Sequence, residues 1–195
     1  MGILLSIDWD WVTGDCSPSG QDACCGWCDD PLRPLRGRGI ERYIERGWDA
    51  RLQRILDAIM QQRSGHERLW VAECHADILR VVNPSAMEEI VHLDYHGDDD
   101  KWCQLCCGTW RTFLPSNVRV KRTLDPGDSF RDIFICLSSP WTPVEMDKEF
   151  WAMVSTISGL TIRPEFIGHR KHELKEAWLK YESLGLAKPE KAKEL

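Results

Sequence analysis

Aspartate and histidine residues are concentrated in the stretch HLDYHGDDD, residues 92–100. Within it, Asp94, His96 and Asp98 stand at every second position, directly after the apolar run MEEIVHL. Carboxylates this close together repel each other and raise one another's pKa unless a positive charge compensates them. The spacing therefore predicts either a bound cation or a loop that is fully open to water.

Ligand-type side chains also occur at two other places in the chain, in SIDWDW and AECHAD. With the stretch above they supply four carboxylates and two imidazoles, whose formal charge of −4 would be cancelled by two divalent cations. Oxygen-rich ligands with some imidazole suit manganese better than zinc. Two such ions about 3.5–4 Å apart make a water molecule nucleophilic near neutral pH. The predicted metal ligands are Asp8, Asp10, His75, Asp94, His96 and Asp98.

Short apolar runs and amphipathic segments alternate along the chain. Four apolar runs predict buried strands, at 2–7, 68–74, 89–93 and 132–138. The alternating segment 117–122 predicts an edge strand. Helical spacing predicts helices over 47–63, 143–158 and 172–185. Strands that alternate with helices indicate an α/β fold, a three-layer α/β/α arrangement with a mostly parallel central sheet.

The order of these elements gathers the ligand-type residues at one edge of the predicted sheet. Ligand sites in such sheets lie beyond the carboxyl ends of the strands. Asp8 and Asp10 follow the first predicted strand, His75 follows the second, and Asp94 follows the third. A single Asp-x-Asp or a single histidine after a strand is more often structural. Three strand ends that deliver such residues together favour a metal site.

The same residues resemble the metal motifs of the arginase and agmatinase superfamily, the manganese ureohydrolases. DYHGD looks like that family's Asp-x-His-x-Asp motif, SIDWDW resembles its Ser-Phe-Asp-x-Asp strand, and AECH resembles its Gly-Gly-Asp-His segment. The resemblance implies two Mn²⁺ ions with a fixed division of ligands. Asp8 and Asp94 would bridge the ions, His75 and Asp98 would complete one site, and His96 and Asp10 would complete the other.

The order of the motifs departs from that of ordinary arginases. In those enzymes the histidine and Asp-x-His-x-Asp precede the Asp-x-Asp, whereas here Asp-x-Asp comes first. The chain is also much shorter, and the third aspartate and the proline of Asp-x-Asp-x-x-Asp-Pro are missing. This compact, reordered pattern is similar to the peptide arginases of bacterial ribosomal-peptide pathways, which convert peptidyl arginine to ornithine and urea. The expected partner is therefore an arginine-containing precursor peptide.

The resemblance also implies which groups act on the substrate. Asp98 would hold the attacking water by a hydrogen bond, and His96 is the second catalytic candidate. A guanidinium needs a carboxylate partner as well, because bidentate pairing fixes its plane. The sequence does not choose among the carboxylates available for that pairing, which are Glu73, Asp77, Asp99, Asp100 and Glu165.

Cysteines form a second group of metal-type residues. Nine are present, and the absence of an export signal makes the reducing cytoplasm the expected compartment. Two Cys-x-x-Cys pairs of the zinc-ribbon kind predict one structural Zn²⁺, with reduced thiols and disulfides as open alternatives. These pairs are Cys25 with Cys28 and Cys103 with Cys106. Cys74 and Cys136 stand in apolar runs and are expected to be buried.

Composition limits the partners and the number of domains. At 195 residues and a net charge of −6, the chain gives no electrostatic support to binding nucleic acid or an anionic membrane surface. No apolar run reaches the roughly 18 residues that cross a bilayer. We expect one catalytic domain over 1–186 and a flexible charged tail over 187–195. The composition leaves open whether the chain forms homo-oligomers.

Two other functions fit parts of the sequence. ILLSIDWDWVT also resembles the start of haloacid-dehalogenase phosphotransferases, in which Asp8 would be the nucleophile, Asp10 the general acid and Mg²⁺ the cofactor. The acidic cluster precedes the serines of FICLSS, and this order counts against that reading. A non-enzymatic, metal-stabilised module that binds a peptide is the other alternative. The favoured hypothesis is a binuclear manganese hydrolase of guanidino groups.

Overall fold

A parallel β-sheet forms the centre of the molecule. The computed structural model describes residues 2–13, 46–61, 68–83, 85–94, 107–138, 142, 144–160 and 163–185. Within these ranges the sheet has six strands: β1 (Gly2–Asp8), β2 (Arg68–Ala72), β3 (Met87–Leu93), β4 (Arg119–Lys121), β5 (Phe130–Cys136) and β6 (Pro164–Phe166). Their order is β4-β3-β1-β5-β2-β6, and every neighbouring pair is parallel. The predicted α/β class is confirmed.

Helices cover both faces of this sheet. The α-helices are α1 (Trp9–Thr13), α2 (Trp48–Met60), α3 (Asp147–Leu160) and α4 (Lys171–Ser183). They pack on one face, where Ile55, Phe150 and Leu174 belong to the same apolar cluster as Leu5 of β1. Two 3₁₀ helices, His75–Arg80 and Cys107–Phe113, lie on the other face. The sheet is therefore the middle of three layers, as predicted.

The central strands are mostly apolar because both of their faces are covered. In β1 and β5 every residue from the fourth position onward is buried. These strands therefore lack the alternation of buried and exposed residues that is typical of a strand with one face in water. β4 is a partly exposed edge strand inside the segment predicted as one. β6 was not predicted, since it has three residues and begins at Pro164. Proline is tolerated there because a residue at the edge of a sheet need not donate to a neighbour.

The predicted helices agree with α2, α3 and α4 to within four residues at each end. The predicted strand 68–74 ends at Ala72, so that Glu73 and Cys74 leave the sheet. Neither α1 nor the 3₁₀ helices His75–Arg80 and Cys107–Phe113 were predicted. A third 3₁₀ helix, Val144–Met146, lies within the predicted helix 143–158. The charged tail 187–195 lies outside the described residues. No helix in the described part of the chain is long and apolar enough to cross a membrane.

The connections after β1 and β3 leave the sheet in opposite directions. From β1 the chain passes β5 to reach β2, whereas from β3 it continues to β4 on the other side. Adjacent strand ends that diverge in this way open a crevice at the carboxyl edge of a parallel sheet, where ligands bind. Asp8 ends β1, and Asp94 directly follows β3. The topology thus places both carboxylates at this crevice.

The core between the sheet and the α-helices should depend on Phe150. Its ring is fully buried and makes edge contacts with Trp9 and Trp151, at centroid distances of 5.4 and 4.8 Å. We expect Phe150→Ala to lower the free energy of unfolding by about 3–5 kcal/mol, because it removes a large buried ring and leaves a cavity. Urea denaturation measures this. The control Leu179→Ala, at a site that is 51% exposed, should change it by less than about 0.5 kcal/mol. Equal effects would contradict the packing described.

Candidate metal centre

The register of the sheet aligns ligand-type side chains on one face. Ser6 of β1 lies opposite His92 of β3, and Asp8 lies opposite Cys136 of β5. Because side chains alternate along a strand, Ser6 and Asp8 point to the same side, as do His92 and Asp94. This is the face covered by the 3₁₀ helices, since Cys136 belongs to the apolar cluster there. The site is thus built from three adjacent strands.

His75 enters this site from the start of the 3₁₀ helix that follows β2. Its Nε2 lies 2.8 Å from Ser6 Oγ, and its Nδ1 lies 2.8 Å from Asp8 Oδ2 and 4.0 Å from Asp94 Oδ2. The ring is buried and stacks on Trp110, with an interplanar angle of 2° and a centroid distance of 5.5 Å. Ser6 and Trp110 therefore fix an orientation in which Nδ1 faces the carboxylates.

Three carboxylates gather beside this imidazole. Asp8, Asp10 and Asp94 are 4%, 2% and 4% exposed, and each offers an oxygen within 4.8 Å of the others. Asp8 Oδ1 accepts a hydrogen bond of 3.3 Å from the Asp10 backbone N–H. Arg122 donates to the backbone carbonyl of Asp94 at 2.7 Å. Burying several carboxylates together is costly unless opposite charge compensates them. A divalent cation fits this donor set.

The ligand-type atoms form three overlapping groups among the described residues. In each group the atoms lie within 4.8 Å of one another. The groups are Asp8 with Asp10 and Asp94, His75 with His92 and Asp94, and Asp8 with His75 and Cys136. These buried clusters could hold metal ions, and every group includes Asp8 or Asp94, the two residues that end or follow the central strands.

His92 and Cys136 were not among the predicted ligands. His92 is fully buried, with Nε2 3.2 Å from Asp94 Oδ2 and its ring edge-on to His75 at 4.6 Å. Its position two residues before Asp94 was the available signal, because that spacing puts both side chains on one face of a strand. Cys136 was expected only to be buried. It is buried, and it also belongs to one of the ligand groups.

Several predicted residues lie outside the described part of the chain. For these the predictions stand as they were made from the sequence. They are the ligands and catalytic candidates His96 and Asp98, the carboxylates Asp99 and Asp100, and the zinc candidates Cys25, Cys28, Cys103 and Cys106. The described centre is therefore the part built by Asp8, Asp10, His75 and Asp94, with His92 and Cys136 beside them.

The three described candidates for guanidinium pairing differ in position. Glu73 is buried directly after β2, at the edge where the ligands gather. Asp77 already accepts from Arg80 Nε at 2.7 Å, and its carboxylate packs so closely on Gly168 that a Cβ there would collide with it. Glu165 is exposed in β6, three strand spacings or about 14 Å from β1. The structure thus places Glu165 three strands from Asp8 and pairs Asp77 with Arg80.

Cys136 is a protonated thiol in this environment. Burial raises its pKa well above the ordinary value, and the nearby Asp8 and Cys74 raise it further. Its Sγ donates to the Glu73 backbone carbonyl at 3.2 Å and lies 3.4 Å from Ser138 Oγ. The sulfur is therefore held in place by groups on two neighbouring segments.

Comparisons with protein-family models, with curated proteins and with solved structures gave no match to this chain.

The contacts of His75 also have the layout of a Ser-His-Asp triad, because Ser6 and Asp8 bind opposite nitrogens of its ring. A nucleophilic serine must reach its substrate. Ser6, however, is fully buried within β1, with His92 and Phe134 opposite it on the two neighbouring strands. Its hydroxyl therefore orients the imidazole, whose other nitrogen faces the Asp8 carboxylate.

Metal binding should stabilise the folded chain through Asp8. At a free Mn²⁺ concentration a hundredfold above Kd, binding adds about 2.7 kcal/mol. This raises the thermal midpoint by roughly 5–10 °C for a chain of this size. We expect Asp8→Asn to lose most of this shift, whereas Asp57→Asn, an exposed site on α2, should keep it. Calorimetry with and without Mn²⁺ measures both. An equal shift in the two variants would rule out Asp8 as a ligand.

The Ser6 hydroxyl should tune metal affinity by positioning His75. Removing a group that orients a metal-binding histidine weakens binding by roughly 10–100-fold. We expect Ser6→Ala to raise the Kd for Mn²⁺ by that factor, measured by isothermal titration. Ser158→Ala is the matched control, because the Ser158 hydroxyl donates to the Val154 carbonyl within α3, and it should bind normally. Unchanged affinity in Ser6→Ala would show that the hydroxyl does not position the ligand.

Proposed function

We propose that this protein is a binuclear manganese hydrolase of guanidino groups, which converts arginine within a precursor peptide to ornithine and urea. The observation that carries the proposal is the convergence of Asp8, Asp10 and Asp94, with His75 beside Asp8 and Asp94. These residues come from three separate places in the chain and meet at the diverging ends of β1 and β3. Their position is that of a ligand site in a parallel sheet.

The burial of the three carboxylates supports the view that cations, rather than water, compensate their negative charge. The three carboxylates are at most 4% exposed, so water cannot screen their charges as it would in an open loop. Oxygen ligands with imidazole favour manganese over zinc. When bound, a pair of such ions lowers the pKa of a water molecule and supplies a nucleophile near neutral pH. Asp8, Asp94 and His75 each belong to two of the three ligand groups. We assign Asp8 and Asp94 as the shared ligands, because a carboxylate has two oxygens to offer to separate ions.

Contacts with neighbouring residues orient the buried side chains of this centre. Ser6 and Trp110 fix the His75 ring, and Arg122 holds the backbone at Asp94. A site that is preorganised in this way need not rearrange as charge develops during the reaction. His92 of β3 lies beside the centre, with its ring edge-on to both His75 and Trp110.

A cationic substrate suits the charge of the site and of the chain. The net charge is −6, and the centre is lined by carboxylates. Glu73 is the described carboxylate that we assign to pair with the guanidinium, since it is buried at the same edge and its backbone carbonyl contacts Cys136. The guanidino class itself comes from the resemblance to the ureohydrolases, as does the choice of a peptide.

Urea release tests the proposal directly. With Mn²⁺, the purified chain should release urea from an arginine-containing peptide, and free arginine and agmatine serve as comparison substrates. Asp8→Asn and Asp94→Asn should lower turnover by more than about 10²-fold, as expected when a preorganised charge is removed. Asp57→Asn is the control and should retain activity.

The outcomes separate the competing functions. Absence of urea release from every guanidino substrate would contradict the proposal. Phosphate release with Mg²⁺ that depends on Asp8 would instead support the phosphotransferase alternative. Peptide binding that survives in Asp10→Ala, without turnover in either protein, would support the non-enzymatic module.

A further inference from the structure

Cys136 belongs to the centre but has no counterpart in the arginase-like motifs. It ends β5, opposite Asp8 in the sheet register, and its Sγ lies within 4.8 Å of ligand atoms of Asp8 and His75. This group offers one sulfur, one nitrogen and one oxygen. The group formed by Asp8 with Asp10 and Asp94 offers oxygen alone. The two groups share Asp8 and differ in their chemical softness.

The surroundings of the sulfur form a second observation. Ser138, whose Oγ lies 3.4 Å from Cys136 Sγ, has a φ of 48°, an unfavourable conformation for a residue other than glycine. Two hydrogen bonds to its backbone hold it there: its N–H donates to the Glu73 carbonyl, and the Thr142 hydroxyl donates to the Ser138 carbonyl. Such strained residues cluster at functional sites. Here the conformation of Ser138 places its hydroxyl beside the Cys136 sulfur. Hydrogen-bonding groups around a metal site orient the metal ligands in the same way.

We propose that Asp8, His75 and Cys136 form a cation position that prefers thiophilic ions such as Zn²⁺ or Co²⁺, beside a Mn²⁺ position formed by Asp8, Asp10 and Asp94. Soft thiolate ligands select such ions, whereas carboxylates suit Mn²⁺. On binding, the thiol releases its proton to solvent and the sulfur coordinates as the thiolate. The two positions of the centre therefore differ in the metal ion that they prefer. The inference rests on the metal centre of the proposed function and is independent of the substrate.

One consequence is control of the enzyme by metal supply. Zn²⁺ should occupy the position that includes Cys136 before it displaces Mn²⁺ from the oxygen position, because the sulfur makes the preference for Zn²⁺ strongest there. The same chain would then have a mixed or a uniform centre according to the ions present. Removal of the sulfur should abolish this discrimination and leave the oxygen position intact.

Cobalt spectroscopy of the whole purified chain tests the inference without a turnover assay. Thiolate bound to Co²⁺ gives an ultraviolet charge-transfer band that oxygen and nitrogen ligands do not give. Subtracting the spectrum of Cys136→Ala from that of the unaltered chain removes the contribution of other cysteines. We expect a positive difference band, which should also appear when His75→Ala replaces Cys136→Ala as the reference. Cys74→Ala, the other buried described thiol, should keep the band.

Measurements of metal affinity provide a second test of the inference. Cys136→Ala should weaken Zn²⁺ binding by at least about tenfold, the loss typical of a damaged ligand set, and should change Mn²⁺ affinity much less. Cys136→Ser, which keeps the side-chain size, serves if the alanine variant unfolds. Cobalt spectra and Zn²⁺ affinities that match those of the unaltered chain in a folded Cys136 variant would overturn the inference. A difference band without urea release would support the cation position at Cys136 and count against the proposed function. Urea release without a difference band would support the proposed function and count against the cation position at Cys136.

Discussion

Ionised carboxylates are buried together at low cost only where positive charge compensates them, and this constraint governs the arrangement of the whole centre. Asp8, Asp10 and Asp94 are buried together at the carboxyl edge of the sheet, next to the His75 ring, whose Nδ1 lies 2.8 Å from Asp8 Oδ2. The parallel topology supplies the place, because the chain leaves β1 and β3 in opposite directions. The metal ions of the proposed enzyme would supply the charge.

The layers around the sheet have different tasks. The α-helices bury the larger apolar cluster and stabilise the fold, with Phe150 among the largest fully buried side chains. The 3₁₀ helices on the other face carry His75 and Trp110 and so position the ligands. The residues that hold the site are therefore concentrated on one side of the sheet, while most of the packing that stabilises the chain is on the other.

Much of the fold could be predicted because its elements are long or periodic. β1 and β5 are continuous apolar runs, and the α-helices show helical spacing. β6 and the 3₁₀ helices are too short to show a period, so the sequence carries little signal for them. Of the site, Asp8 and Asp94 could be found from their places after predicted strands. Cys136 could not, because its approach to Asp8 depends on the register between strands more than 100 residues apart in the chain.

The central claim is that these buried side chains hold a pair of cations. Anomalous diffraction from crystals grown with Mn²⁺, recorded at the manganese absorption edge, tests it most directly. The account predicts two peaks about 3.5–4 Å apart, with the Asp8 and Asp94 carboxylates touching both. Carboxylates that are gathered as described here but show no anomalous peak between them at saturating Mn²⁺, or peaks only at other places on the chain, would contradict it.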